Sequence, residues 1–391
     1  MFDSTAPHRR TPAPARSRRG WLFASTAATL ACAGALAFGI PTAANAAPAP
    51  SAFSSAERAA SWGSYPYSAQ GRSVSIDASA ATADESTGVV LIDTVLGYEG
   101  AQAAGTGMVL TSGGLVLTNN HVVEGSTAIQ VTIASTGETY TATVVGTDAE
   151  DDVALLQLDG ASGLATVTID QDAETIGQAV TAVGNALGRG ELLAADGRIT
   201  DLETTVTTAS EGTASGETLN GMIEVAADVV SGDSGGALLD AEGEVIGMTT
   251  AASSGTAAIT GWAIPIEDAL AIAQQIVDGD ETDGVTVGYP AFLGVGLASE
   301  TQAYGRYGLR GGGSTGGALI AGVYSGTPAA EAGLTGGDTI TAIDGAAVTD
   351  AASLSDLIAG HEPGDSVTIT WIDASGATHA ADVTLAAGPA A

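Results

Sequence analysis

The chain is expected to fold as a mostly β protein, a domain of short antiparallel strands followed by a smaller unit of strands with one good helix. Three observations carry that expectation. Glycine is abundant (54 of 391 residues) while charged residues make up 14% and aromatics 4%, a balance suited to strands and tight turns rather than long helices. Hydrophobic residues reach 45%, enough for real cores and incompatible with wholesale disorder. Short apolar runs bounded by turn residues recur from Gly88 to Thr260 and resume beyond an acidic break at 278–288.

Residues 1–46 read as an export signal and stand outside the fold. Arg16, Arg18 and Arg19 form a basic start, Trp21 to Ile40 is uncharged and Ala-rich, and Ala44-Asn45-Ala46 has the small-x-small shape that signal peptidase accepts. Ser17-Arg18-Arg19-Gly20-Trp21-Leu22 is compatible with twin-arginine export as well as with an ordinary secretory signal. A retained membrane anchor is the alternative to cleavage, since about 20 apolar residues can span a bilayer. The single cysteine, Cys32, lies in this segment, so the exported chain has no disulfide, and thiolate metal sites and cysteine catalysis drop out with it. The reading calls for no cofactor and no metal.

Residues 47–86 are dominated by Ala and Ser and read as a flexible segment, with Trp62, Tyr65 and Tyr67 as docking points. The β-rich domain occupies 87–278. Its strand candidates include Val89–Ile92, Gly107–Leu110, Leu115–Thr118, Ala128–Ile133 and Glu244–Met248, a spacing that suits an antiparallel barrel or sandwich. Pro265 to Val277 has helical periodicity with acids in the first turn and Gly279 as a stop. An acidic linker, 279–288, precedes the second unit at 289–388, whose helix is expected over Ala351–Ala359. The Gly-rich stretch 308–317 lacks the ending of a phosphate loop and reads as a plain loop.

Charge excludes one class of function. The 11 basic residues face 45 acids, for a net charge of -34, and five of those basic residues lie in the export signal. So acidic a surface repels phosphate backbones, which rules out a nucleic-acid partner.

Three strings carry the chemistry: Thr118-Asn119-Asn120-His121-Val122-Val123, Asp151-Asp152-Val153-Ala154-Leu155-Leu156 and Gly232-Asp233-Ser234-Gly235-Gly236. A serine nucleophile needs a base to take its proton, a carboxylate to orient that base, and donors for the developing oxyanion. His121 is the only histidine between His8 and His361, so a serine hydrolase in this domain has one base available. Small residues around Ser234 let the backbone N–H groups of Gly232 and Ser234 face an oxyanion. Taken singly, each string has a plainer reading: a structural histidine, a solvated acidic turn, a chance Gly-x-Ser-x-Gly. The elbow of α/β-hydrolases is also excluded, because Ala237-Leu238-Leu239 leads into a turn and a strand rather than a helix.

On these residues the chain resembles a trypsin-like serine protease of the HtrA/Deg type, a two-barrel chymotrypsin-like domain followed by a small α+β PDZ domain. Gly105-Thr106-Gly107-Met108, Gly114 to Val122, Asp152 to Leu156, Val183 to Gly188 and Gly261 to Pro265 match the protease half. Phe292-Leu293-Gly294-Val295, Gly326 to Leu334, Gly336 to Ile340 and Glu362 to Asp365 match the PDZ half. The resemblance implies a triad of His121, Asp152 and Ser234, with Asp152 preferred to Asp151 or Asp148 because it directly precedes the apolar segment. It also implies that the amides of Phe292 to Val295 receive a peptide's terminal carboxylate at a free sheet edge. The implied partners are polypeptide substrates and peptide C-termini, and the implied assembly is a homotrimer.

Two features depart from the family pattern, Asp233 and the altered segment Ala226-Ala227-Asp228-Val229-Val230-Ser231 that leads to the serine. Asp233 stands where HtrA-type sites usually carry Asn, and the sequence offers it no partner. Asp228 lies six residues before Ser234, where trypsin-like enzymes place the acid of the primary pocket; it selects Arg or Lys there, or else it is a turn residue beside a small apolar pocket lined by Val229 and Val230. The functional expectation is an exported serine endopeptidase whose PDZ domain binds peptide ends. The alternative is a peptide-binding, chaperone-like protein with weak or no proteolysis.

Overall fold

Val89–Leu96 (VVLIDTVL) is apolar on both faces, and its position explains why. In a computed structural model, which describes residues 77–207, 218–252, 260–298 and 316–390, this strand pairs with Ala101–Val109 on one side and Ala128–Ile133 on the other. The sheet continues through Leu115–Thr118 and Val153–Leu158 in one direction and Thr139–Asp148 in the other, and those last two strands pair to close a six-stranded barrel. Strand side chains alternate between faces. Val90, Ile92, Val116 and Leu156 therefore fill the barrel, while Val89, Leu91, Leu117 and Leu155 face outward.

The outward residues pack on a second barrel. It runs Ala179–Gly184, Leu193–Thr207, Thr218–Val225, Gly261–Pro265, Val245–Ala252 and Ala237–Leu239, with the last strand returning to the first. Val183, Ala237, Met248 and Ile264 meet the first barrel's outward face in one continuous core. The helix Ile266–Asp278 buries Ile266, Ala269, Ala273 and Ile276 in the same core and ends at Gly279, whose φ of 71° favours glycine.

Two segments read as unstructured carry strands. Ser79–Ala80, at the end of the Ala/Ser-rich segment, pairs with Leu193 and Ala194. Val285–Val287, within the acidic 279–288, pairs with Gly146–Asp148 and extends the first barrel's sheet. Composition concealed both, because edge pairing uses backbone groups that every residue carries.

The second unit is a sheet of Val295–Leu297, Ala318–Val323, Thr339–Ile343, Ser366–Ile372 and Thr378–Thr384 in that order, with Ala346–Ala347 beside the third strand. Ala291–Phe292 pairs separately with Ala386–Ala387. The helix Ala351–Ala359 starts at a capping box of Asp350 and Ser353 and sets Leu354 into a core with Leu293, Ile320, Ile340 and Ile369. Val295–Leu297 is an edge: among the described residues it pairs only with Ala318–Val323.

This unit touches the first barrel at three places. Gly288 N–H donates to the Val145 carbonyl at 2.8 Å, and the Val144 amide donates to the Tyr289 hydroxyl at 3.3 Å. Ala390 exchanges backbone bonds with Gly125 and Ser126, just beyond His121. Tyr98 packs its ring on Phe292 and Tyr324, with centroids 5.2 and 4.7 Å away. Residues 1–46, expected to be an export signal, and Trp62, Tyr65, Tyr67 and most of 308–317 lie outside the described residues. No helix among the described residues is long and apolar enough to cross a membrane.

Candidate active site

Two paired strands bring His121 and Asp152 together. Leu115–Thr118 runs into the one-turn helix Asn120–Val123, which carries His121, and Thr118 lies opposite Ala154, two residues past Asp152. Asp152 sits in the left-handed region at φ 54° and is 1% exposed. A non-glycine residue there costs on the order of 1 kcal/mol, so something must hold it. Asn119 Nδ2 donates to the Asp152 carbonyl at 2.9 Å and the His121 amide donates to Oδ1 at 3.0 Å. His121 Nδ1 lies 2.9 Å from Oδ2, and the Thr250 hydroxyl donates to the same oxygen. Asp148 is turned to a different task, accepting from the amides of Glu150 and Asp151 at 3.0 and 3.1 Å, and Asp151 is exposed.

Ser234 comes from the second barrel, in the turn that precedes Ala237–Leu239. Its Oγ donates to the Thr250 carbonyl at 3.2 Å. Thr250 thus touches both Asp152 and Ser234, one through its hydroxyl and the other through its carbonyl. Sequence reading passed over it, because a threonine in a β-strand is too ordinary to stand out.

The turn itself is fixed from the first barrel. The Thr106 amide donates to the Ser234 carbonyl at 2.9 Å, and the Thr106 hydroxyl donates to the Gly232 carbonyl at 2.7 Å. Gly232 has φ 98°, and a Cβ there would lie 2.2 Å from the Asn185 carbonyl oxygen. Any side chain at that position would push the serine turn off Asn185–Gly188. Within the turn, the Asp233, Gly235 and Gly236 amides bond to Val230, Thr249 and Asp233 carbonyls. The Gly232 and Ser234 amides have no protein acceptor among the described residues.

Asp233 finds its donor at the Val230 amide, 2.9 Å from Oδ2, and its other oxygen lies against Gly184, where a Cβ would come within 2.6 Å. Among the described residues no cation offsets its burial, which pushes its pKa up to about 7. Asp228 is half-buried, and its carboxylate accepts from the Asp77 amide at 2.6 Å. Beside it Val229 is buried against Gly261, where a Cβ would approach Val229 Cγ2 to 2.5 Å.

In the second unit, Phe292–Val295 leads into the free edge. Gly294, at φ 86°, faces the Thr327 side chain, which a Cβ would meet at 2.2 Å. The Leu293 carbonyl accepts from Ala329 N at 2.9 Å and the Gly294 carbonyl from Tyr324 N at 3.1 Å. In a trans peptide the N–H points away from the carbonyl, so the Gly294 and Val295 amides turn outward, away from those donors. Acidic Asp170, Asp240 and Glu244 come close enough to share an ion, but each of the two aspartates is engaged by backbone amides of its own turn.

Known proteins bear on this arrangement. Residues 105–248 match the trypsin-like peptidase domain family and residues 291–384 match the PDZ domain family. Among curated relatives, the periplasmic pH-dependent serine endoprotease DegQ of Escherichia coli is 33% identical over 68% of this chain and 56% of its own length. The serine protease PepD of Mycobacterium tuberculosis is 31% identical over 76% of this chain and 63% of its own. The serine protease Do-like HtrA of Lactococcus lactis subsp. cremoris is 33% identical over 70% and 71%. The chain therefore spans less than two thirds of the length of the first two. A solved structure, the HtrA-type protease AlgW with tripeptide, is 29% identical and aligns over 78% of this chain and 95% of that one with a TM-score of 0.44.

Proposed function

The chain belongs to the HtrA-type serine proteases, and from that membership we propose that it is an exported endopeptidase in which Ser234 is the nucleophile, His121 the base and Asp152 the orienting acid. The observation that carries the reading is the His121–Asp152 pair, 2.9 Å from Nδ1 to Oδ2, set across the barrel interface from Ser234 and joined to it through Thr250. Asp152 holds the proton on Nδ1, which leaves Nε2 as the acceptor. The Ser234 hydroxyl turns from the Thr250 carbonyl toward Nε2, gives up its proton and attacks the scissile carbonyl. The oxyanion is received by the amides of Gly232 and Ser234. His121 then passes the proton to the leaving amine, and water cleaves the acyl-enzyme by the reverse path.

Two geometric features support a peptide-end site in the second unit: the outward amides of the Phe292–Val295 loop and the free edge of Val295–Leu297. An extended peptide adds there as a strand, with its terminal carboxylate on the loop amides. For cleavage specificity, the Asp77 amide on the Asp228 carboxylate favours the turn-residue reading, with a small apolar pocket beside Val229 and Val230. Periplasmic relatives and the Ala-rich leader support export. A trimer remains the assembly expected from family membership. The test of the activity is hydrolysis of unfolded casein by the mature chain: cleavage that disappears in Ser234→Ala supports the reading, cleavage that persists removes Ser234 as the nucleophile, and no cleavage by the native chain favours the peptide-binding alternative.

A further inference from the structure

The edge strand that would receive a peptide has two faces, and they are furnished differently. Val295 and Leu297 pack on the core of the second unit, so Gly296 between them presents the opposite face. A Cβ built on Gly296 would meet nothing closer than 3.7 Å, and the Tyr324 hydroxyl stands 4.0 Å away as one wall of that space. Tyr324 packs on Tyr98, which packs in turn on Phe292, and all three rings are half-buried. The result is an aromatic wall outside the groove, and Tyr98 is supplied by the protease domain.

Register decides what meets that wall. Tyr324 N donates to the Gly294 carbonyl, so Val295 and Val323 are a non-hydrogen-bonded pair, and Val295 turns its own N–H and C=O to the free edge. A peptide whose carboxylate sits on the Gly294 and Val295 amides therefore places its last residue opposite Val295 and its penultimate residue opposite Gly296. Residues opposite one another in antiparallel strands point to the same face. The last side chain goes to the apolar core side. The penultimate side chain goes into the space above Gly296.

We propose that Tyr98, Tyr324 and Phe292 form a subsite that reads the penultimate side chain of a bound polypeptide C-terminus and favours an aromatic ring there, with Tyr98 as the specificity determinant contributed by the protease domain. This rests on the peptide-end reading of the Phe292–Val295 loop. Gly296 supplies the room, and the three rings supply the tilted and offset contacts that aromatic side chains prefer.

The test uses the mature chain carrying Ser234→Ala, so that peptides are not cut, and fluorescence anisotropy with peptides ending in Tyr-Val or Ala-Val, each with a free or an amidated end. The expected result is that Tyr-Val binds roughly five- to tenfold tighter than Ala-Val, a ratio that collapses in Tyr98→Ala and survives in Tyr98→Phe. Unchanged affinity for Ala-Val in Tyr98→Ala shows that the groove itself is intact. A Tyr-Val preference that persists in Tyr98→Ala, or is absent from the parent, overturns the subsite while leaving the loop reading standing. Equal binding of free and amidated ends overturns the loop reading and the subsite with it.

Discussion

The hydroxyl of Thr250 donates to Oδ2 of Asp152, the same oxygen that faces His121 Nδ1. It is a bond between the two barrels, since Thr250 belongs to the second and Asp152 to the first. The Asp152 carboxylate is thereby held from both barrels. Thr250→Val keeps the shape and removes the donor, leaving a buried carboxylate oxygen one bond short. A hydrogen bond to a charged group is worth about 1.5–3 kcal/mol, so kcat/KM is expected to fall roughly 10- to 100-fold. Thr250→Ser should recover most of the loss. Steady-state kinetics on a peptide substrate checks both.

Gly232→Ala tests the serine turn. The substitution meets a positive φ and a backbone carbonyl 2.2 Å away, neither of which can yield cheaply. Destabilisation of about 2 kcal/mol or more is expected by urea unfolding, together with loss of activity in whatever fraction remains folded. A variant as stable and as active as the native chain would contradict the packing of this turn on Asn185.

Asp233 and His121 give opposite pH dependences. The folded pKa of Asp233 lies above that of the unfolded chain, so its contribution favours folding fully below about pH 4 and is lost as pH rises through about 7. Above that, an ionised carboxylate is buried with one amide for company, a penalty on the order of 4 kcal/mol at its full extent. Asp233→Asn should therefore gain stability relative to the native chain between pH 5 and pH 8, read as the difference in urea midpoints. Activity runs the other way, falling on acidification, because an imidazole that carries a proton cannot accept one from the serine. A stability difference independent of pH would remove Asp233 from the account.

The carboxylate loop predicts dependence on charge at the peptide end. In the full mature chain with Ser234→Ala, amidation of an apolar-ended peptide should weaken binding at least about tenfold, since charge-assisted bonds to the Gly294 and Val295 amides are lost. Isothermal titration of the paired peptides measures it. The whole chain is the right sample, because Tyr98 and Ala390 tie the second unit to the first barrel.

Much of this was legible in the sequence, and the reasons are physical. Leu115–Thr118, Ala128–Ile133 and Ala351–Ala359 have the bounds that their apolar runs and capping residues imply. His121, Asp152 and Ser234 stood out because the three strings that carry them occur together, a joint pattern more specific than any one of them. What stayed hidden was anything that depends on backbone groups or on distant partners. The short strands Ser79–Ala80 and Val285–Val287 pair through the main chain, the donor to Asp233 is the Val230 amide, and Asp228 is met by the amide of Asp77, 151 residues away. Thr250 was overlooked because its role comes from where the second barrel sets it, not from its neighbours in sequence. Tyr98 likewise acquires meaning only when the Phe292 loop is brought against it.

Activation of Ser234 by His121 and Asp152 is read out by covalent labelling. The mature chain is treated with a fluorophosphonate at neutral pH and the adduct located by peptide mass spectrometry. The account predicts a single adduct on Ser234, absent in Ser234→Ala and slowed by about a thousandfold or more in His121→Ala, with both variants unfolding in urea within about 0.5 kcal/mol of the native chain. A folded native chain that takes no label at Ser234, or a His121→Ala variant labelled at the native rate, would contradict it.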